Sequence, residues 1–245
     1  MSAVPSVLRE QRLVESFDVD VKGRLKPHVL FAFLTNCAWK HSSLTSHGYQ
    51  DLLDRNQMWV LAKFQLSVVR FPTWGEQIVI ETWGKGIQKL YALRDFSIGT
   101  PDGGKLASAT SAWLVLDRNS RRPVRIDQMT FPWTPGRNEL ETDLRKVPAL
   151  SDGSDCAHFR AVFSDLDVNG HVTAMKYLQW IMDSHPGAVL EEKQPRSLEI
   201  SFLGEAAMDD EVSVFCERDA TNGELCSVRR VGDRKELCRA RTEWA

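Results

Sequence analysis

"DVDVKGRL" (Asp18–Leu25) and "DLDVNGHV" (Asp165–Val172) are one eight-residue pattern written twice, 147 residues apart. Both copies keep Asp, Asp, Val and Gly at matching places. Each stands just ahead of a segment with apolar residues at helical spacing. The first such segment is Leu25–Leu44, with Pro27 suited to a first turn. The second is Val172–Met182, where Val172, Met175, Leu178 and Met182 fall at i, i+3 and i+4 intervals. A second echo joins "TWGEQIVI" (Thr73–Ile80) to "AMDDEVSV" (Ala207–Val214) at an offset of 134. The first half therefore carries about 13 extra residues, which the sequence places around Ser46–Gln57. Self-similarity on this scale means two copies of one supersecondary unit.

The rest of each half reads as strand. Alternating or β-rich runs cover Met58–Phe71, Gln77–Trp83, Lys89–Ile98 and Lys105–Leu116 in the first half. In the second they cover Ala157–Phe163, Ser197–Leu203, Glu211–Arg218, Glu224–Arg230 and Glu236–Trp244. "GTPDGG" and "ATNG" are turn signals between strands. Pro123, Pro132, Pro135 and Pro148 mark a surface linker. The expected organisation is an N-terminal unit at 1–126, a linker at 127–155 and a C-terminal unit at 156–245. Helices as apolar as Val29–Leu34 and Tyr177–Met182 must be buried on most sides. A curved antiparallel sheet wrapped around each helix does this, so the expected class is α+β, a double hot-dog. Two such sheets could share an edge and so remove exposed edges.

Composition sets the outer limits. The 245 residues are 42% hydrophobic and 26% charged, ordinary for a globular chain able to bury a core. A net charge of −2 gives no global field for nucleic acid. Five cysteines without a CxxC pair signal neither a disulfide framework nor a zinc site, and a reducing compartment fits. "MSAVPSVLREQR" does not read as a signal peptide, and no apolar run is long enough to span a membrane. The expected setting is cytoplasmic.

The second copy, extended to "SDLDVNGHV", admits three readings. Asp165-x-Asp167-x-Asn169-Gly170 reproduces half of a calcium loop, but position twelve is Lys176 where a bidentate Glu is needed. Asp or Asn there could cap the following helix. The third reading is chemical. The first copy has Lys22 and Arg24 where the second has Asn169 and His171, while Asp and Gly persist in both. Asp and Gly then serve the loop, and Asn169 and His171 serve chemistry that one copy alone carries.

"LDVNGHV…KYLQWIMD" resembles the signature of acyl-acyl carrier protein thioesterases, W-N-D-L-D-V-N-Q-H-V-N-N followed by K-Y and W-I. "RFPTWGEQIVIETW" is similar to that family's R-Y-P-T-W-G-D stretch ending in D-T-W, and "SAWLVLDRNSRRPVRI" to its S-x-W-V-M-M-N-x-x-T-R-R-L-x-x-I. The resemblance covers roughly residues 14–245. It implies a double hot-dog, hydrolysis of fatty acyl-carrier thioesters by activated water, and catalytic roles for Asp167, Asn169, His171 and Glu205. The family's Cys beside that Glu is Ala206 here, which rules out a thiol nucleophile at that place. Ser164, Gly170 and Thr173-Ala174 also depart from the pattern.

Within this reading Glu205 is the general base and Asp167 orients Asn169 or the helix start, or the two carboxylates exchange roles. His171 and Asn169 hold the water or the carbonyl. Backbone N–H groups at Gly170 and Val172 supply the oxyanion site at a helix N-terminus. The acyl chain enters the first unit, among Leu30, Phe31, Phe33, Leu34, Trp39, Met58, Trp59 and Phe64. The acidic carrier protein meets Arg118, Arg121, Arg122 and Arg125, or alternatively Arg229, Arg230, Arg234 and Lys235. His41, His47 and His158 read as structural. No cofactor, metal, nucleic-acid partner or membrane span is expected, and a homodimer stays open. The rival functions are an acyl-CoA thioesterase and a non-catalytic acyl-binding protein.

Overall fold

The computed structural model describes residues 4–126, 137–141, 146–219 and 223–245. The chain forms two compact units, residues 1–25 with 30–144, and 26–29 with 145–245. Together they form the double hot-dog expected from the repeat, each built from a helix and an antiparallel sheet.

In the first unit the described strands are β1 (Val7–Leu13), β2 (Gln57–Val68), β3 (Gln77–Gln88), β4 (Tyr91–Gly99) and β5 (Lys105–Asp117). Their order across the sheet is β1-β3-β4-β5-β2. In the second unit β6 (Ser154–Arg160), β7 (Pro195–Phe202), β8 (Glu211–Arg218), β9 (Glu224–Arg230) and β10 (Glu236–Trp244) follow the order β6-β8-β9-β10-β7. The two orders are the same, strand for strand. The long helices α1 (Pro27–Ser43) and α3 (Ala174–Asp183) begin at equivalent positions. Short helices α2 (Tyr49–Asp54) and α4 (Gly187–Glu192) follow them.

The extra residues of the first half are not confined to Ser46–Gln57. Helix α1 has 17 residues against 10 in α3, and β2 has 12 against 8 in β7. Nor is α1 apolar all round. It buries Leu30, Leu34, Cys37, Ala38 and His41 in one stripe and leaves Asn36 and Lys40 exposed. In the second unit Tyr177, Leu178, Trp180, Ile181 and Met182 are buried. Trp180 stacks on Phe159 of β6, and Tyr177 meets Phe202 of β7 edge-on. Burying side chains of this size is worth about 1.5–3 kcal/mol each, which fixes each helix against its sheet.

The expectation of no disulfide is overturned. Cys216 and Cys226 are bonded, directly opposite one another on β8 and β9. An odd count is compatible with one such bond because it leaves Cys37, Cys156 and Cys238 free. Strand β1 also escaped the sequence reading, since "VLREQRL" mixes charges into a half-exposed alternation. Pro132 and Pro135 of the expected linker lie outside the described residues. No helix of the described residues is long and apolar enough to cross a membrane.

Candidate active site

The two repeated loops share one hydrogen-bond map. In the second copy the Asp167 N–H donates to the His171 carbonyl at 2.8 Å, and the Gly170 N–H donates to the Asp167 carbonyl at 3.0 Å. The Asp167 carboxylate accepts the amides of Asn169 at 2.8 Å and His171 at 3.3 Å. The first copy repeats each bond through Asp20, Lys22, Gly23 and Arg24. Gly170 and Gly23 sit at φ 77° and 74°, a left-handed turn that favours glycine. The shared Asp and Gly therefore build the loop. Asp167 satisfies the loop's own amides and does not cap α3. The N-cap is Thr173, whose side chain makes no capping bond.

Divergence begins at the side chains. Arg24 turns back onto Asp20, its guanidinium 2.8 Å from the carboxylate. His171 instead faces Glu205, with Nε2 3.5 Å from Oε2. Both side chains are 31% exposed, reachable by water yet partly shielded from it. The position equivalent to Glu205 in the first unit is Phe71, a buried hydrocarbon. One copy thus holds an imidazole and a carboxylate, and the other an internally paired Arg beside a Phe.

Three further bonds set the His171–Glu205 spacing. The Val172 N–H donates to the Ala206 carbonyl at 2.9 Å. The Ala206 N–H donates to the Tyr177 hydroxyl at 2.7 Å. The Arg230 guanidinium donates to the Glu205 carbonyl at 2.8 Å. Tyr177 and Arg230 were not among the expected site residues. Tyr177 reads as one more apolar member of a helical stripe, and only the folded chain reveals the amide its hydroxyl meets. Burial, foremost, holds that phenol above its ordinary pKa.

The expected oxyanion donors need correction. The Gly170 and Val172 amides both have acceptors inside the protein, at Asp167 and Ala206, and cannot serve a substrate. The loop precedes α3, so its amides belong to a turn and not to a free helix end. Among the described residues the Ala174 and Met175 amides, the first two of α3, have no acceptor. The calcium reading also fails in the fold. Lys176 Nζ lies 3.0 Å from Asp165 Oδ1, so an ammonium already neutralises the first carboxylate of that pattern.

Four of the five cysteines are withdrawn from nucleophilic use, and the fifth, Cys156, is exposed on β6. Burial pushes Cys37 up to about 12 and raises Cys238 as well, Cys216 and Cys226 are bonded, and Ala206 stands beside Glu205. Asn169 follows Asp167 in the loop with its amide fixed, half-buried. His41 is structural, bonded to the Pro5 carbonyl at 2.8 Å and to Arg94 at 3.0 Å.

The first unit contains a small, partly open cavity of about 30 Å³, lined by residues that include Trp39, Trp59, Trp113, Ala92, Leu93 and Arg94. Of the eight side chains expected around an acyl chain, Trp39 and Trp59 line it. Leu30, Phe31, Leu34, Met58 and Phe64 are packed core, with Phe31 and Phe64 edge-to-face at 4.6 Å. Phe33 lies under the Arg12 guanidinium. Of the expected carrier contacts, Arg121, Arg122 and Arg125 are exposed and Arg118 is half-buried. Arg118 lies in the turn after β5, which Asp117 closes by accepting the Ser120 amide, and the other three follow it.

Comparison with known proteins bears on both units. Residues 5–130 match the acyl-ACP thioesterase N-terminal domain, and residues 150–245 match the acyl-ACP thioesterase C-terminal domain. A chloroplastic palmitoyl-acyl carrier protein thioesterase of Cuphea hookeriana is 27% identical over 97% of this chain and 62% of its own length. An acyl-[acyl-carrier-protein] hydrolase of Cuphea viscosissima is 32% identical over 76% of this chain and 48% of its own. The chain thus spans less than two thirds of these relatives. The crystal structure of an acyl-ACP thioesterase from Bacteroides thetaiotaomicron matches with a TM-score of 0.87 at 28% identity, covering 98% of both chains. With both domains matched in order, the chain belongs to the acyl-ACP thioesterase family.

Proposed function

We propose that the chain hydrolyses the thioester of fatty acyl-acyl carrier protein, releasing a free fatty acid and the carrier thiol. The observation that carries this reading is the His171–Glu205 pair, present in one copy of a loop whose other copy has lost both groups. Glu205 takes a proton from water as that water adds to the thioester carbonyl. His171, Nε2 toward Glu205, holds the water and steadies the charge that develops. Asn169 orients the water or the carbonyl through its amide. Asp167 acts by shaping the loop. The free amides of Ala174 and Met175 stabilise the oxyanion, in place of Gly170 and Val172. Collapse of the tetrahedral intermediate breaks the C–S bond, and the thiolate leaves with the proton held by Glu205. At 3.5 Å the pair is longer than a good hydrogen bond, which is common before substrate tightens a site.

The cavity of the first unit is our candidate entry for the acyl chain, supported by its three tryptophans; at about 30 Å³ it must widen to admit a chain. For the carrier protein, Arg118, Arg121, Arg122 and Arg125 remain candidates. The hairpin cluster Arg229, Arg230, Arg234 and Lys235 gains support from the bond between Arg230 and the Glu205 carbonyl. A cytoplasmic setting and a homodimer belong to the same proposal.

The test is fatty acid release from matched acyl-carrier and acyl-CoA substrates, measured for the parent, His171→Ala and Glu205→Gln. The parent should prefer the carrier substrate, and both variants should lose activity. A preference for acyl-CoA overturns the substrate assignment. Parent-like rates in both variants overturn the site.

A further inference from the structure

We infer that the C-terminal end of α3 carries a zinc site in the reduced protein, built from His185, Glu224, Cys226 and Cys216. One ring nitrogen of His185, a Glu224 carboxylate oxygen and Cys226 Sγ offer donor atoms all within 4.8 Å of one another. Cys216 Sγ is bonded to Cys226 and so lies at the same corner. The topology explains the convergence. Glu224 and Cys226 are two apart on β9 and share a face, Cys216 is directly opposite on β8, and His185 follows the last turn of α3. Two thiolates, an imidazole and a carboxylate are a zinc-type ligand set.

The surroundings are already arranged as a metal site needs. His185 Nδ1 faces the Ile181 carbonyl at 2.8 Å, so that nitrogen carries the proton and Nε2 is left for a ligand. Nε2 lies 2.5 Å from Glu224 Oε2, and the proton between them occupies the place a cation would take. The Trp244 indole N–H donates to the same carboxylate at 3.3 Å, and its ring packs on His185 at 5.0 Å. The His185 side chain is 8% exposed, and both sulfurs are buried. Tetrahedral bonds of about 2.0–2.3 Å would set ligand atoms about 3.5 Å apart. The His185–Glu224 contact must therefore open by about 1 Å, the two sulfurs must part once reduced, and Cys226 Sγ, within 4.8 Å of the other two donors, must close on them by about 1 Å at most.

The disulfide and the metal exclude each other. A phosphine reductant opens the Cys216–Cys226 bond with one water, giving phosphine oxide and two thiols. Zinc then binds the two thiolates, His185 Nε2 and Glu224, releasing to solvent the two thiol protons and the proton shared by His185 and Glu224. Catalysis lies at the other end of α3, a helix of 10 residues and so about 15 Å long. The inference does not rest on the proposed hydrolysis.

The test uses the full chain with Cys156→Ser, which removes the exposed free thiol, reduced by phosphine and desalted without oxygen. One equivalent of cobalt(II) should give thiolate-to-cobalt charge-transfer bands that zinc abolishes. Zinc should raise the melting temperature of the reduced protein alone. Cys226→Ser, and independently the near-isosteric His185→Gln and Glu224→Gln, should weaken cobalt binding at least tenfold. The inference is overturned if reduced protein gives no thiolate bands. It is equally overturned if the bands persist in Cys226→Ser, or in both near-isosteric variants should Cys226→Ser not fold.

Discussion

The amide of Val172 donates to the carbonyl of Ala206 at 2.9 Å, and this one bond joins the two halves of the site. The residues just before the bonded pair are His171 and Glu205. Neither side chain needs a partner of its own to find the other, because their backbones are fastened one residue downstream. The equivalent bond in the first unit joins Leu25 to Pro72 at 2.8 Å, with Arg24 and Phe71 as the preceding residues. Both copies have the scaffold bond, and one of them carries the His–Glu pair.

Removal of either member of the pair should abolish turnover while leaving the fold intact. His171→Ala and Glu205→Gln are each expected to lower kcat by on the order of 10²–10⁴. Melting temperatures should stay close to the parent's, since both side chains are partly exposed. Single-turnover release of fatty acid and thermal melts on the same preparations check both halves of this expectation.

The matching first-copy position should be silent in activity. Arg24→Gln breaks the contact with Asp20, a partly exposed pair worth about 0–1 kcal/mol. Hydrolysis should change by less than about threefold, a surface-type effect. A large loss would place Arg24 in the reaction and undo the division of labour between the copies.

Tyr177→Phe leaves the Ala206 amide buried without its acceptor. The cost to stability should be about 1–3 kcal/mol. As a positioning residue, Tyr177 should act on kcat more than on KM, lowering it about tenfold as Glu205 loosens. Denaturant unfolding and steady-state kinetics separate the two effects.

The loops could be matched because Asp20 and Asp167, with Gly23 and Gly170, are demanded by backbone bonds that any copy must make. His171 and Glu205 were reachable through the family resemblance. Tyr177 was not, because its value lies in one oxygen atom meeting an amide 29 residues away. The oxyanion donors were misplaced for a related reason. Periodicity begins at Val172, but the helix begins at Ala174, and those two residues decide which amides are free. Helix α2 and strand β1 were hidden by mixed polar and apolar residues whose pattern only the packed neighbours explain.

A buried charge pair offers a stability test away from the site. Lys85 Nζ lies 3.0 Å from Asp95, with side chains 7% and 0% exposed. Asp95 also accepts the Glu139 amide at 2.8 Å. Lys85→Met strands that carboxylate and should cost about 3–5 kcal/mol. Equilibrium unfolding in urea measures it, and a loss below about 1 kcal/mol, the range of exposed pairs, would contradict the burial argument.

Acid should weaken the fold through three imidazoles. Burial is the main cause holding His28, His41 and His47 below their ordinary value, with Arg94 assisting at His41 and Arg55 at His47. His28 is lowered to about 4, burial outweighing the pull of Asp183. An unfolded chain protonates His near 6.5, about where a free imidazole titrates. The folded chain therefore resists a proton that the unfolded chain accepts. The stability from neutral His28 is full above the unfolded value and is lost as pH falls from there toward 4. The full shift is worth about 3 kcal/mol, and partial access of water reduces the expectation to about 1–2 kcal/mol. Unfolding curves from neutral pH downward should be less steep in pH for His28→Gln, and parallel curves would refute the assignment.

The Tyr177–Ala206 bond also has a historical consequence. The equivalent positions in the first unit are Leu30 and Pro72, one without a hydroxyl and the other without an N–H. The first unit lacks both sides of the contact. Restoring Pro72 to alanine alone would bury a donor facing a hydrocarbon, and restoring Leu30 to tyrosine alone would bury a hydroxyl with no amide to receive. Each single step back is uphill, so the pair works as an epistatic ratchet. The first unit could therefore gain this contact only by changing both positions together.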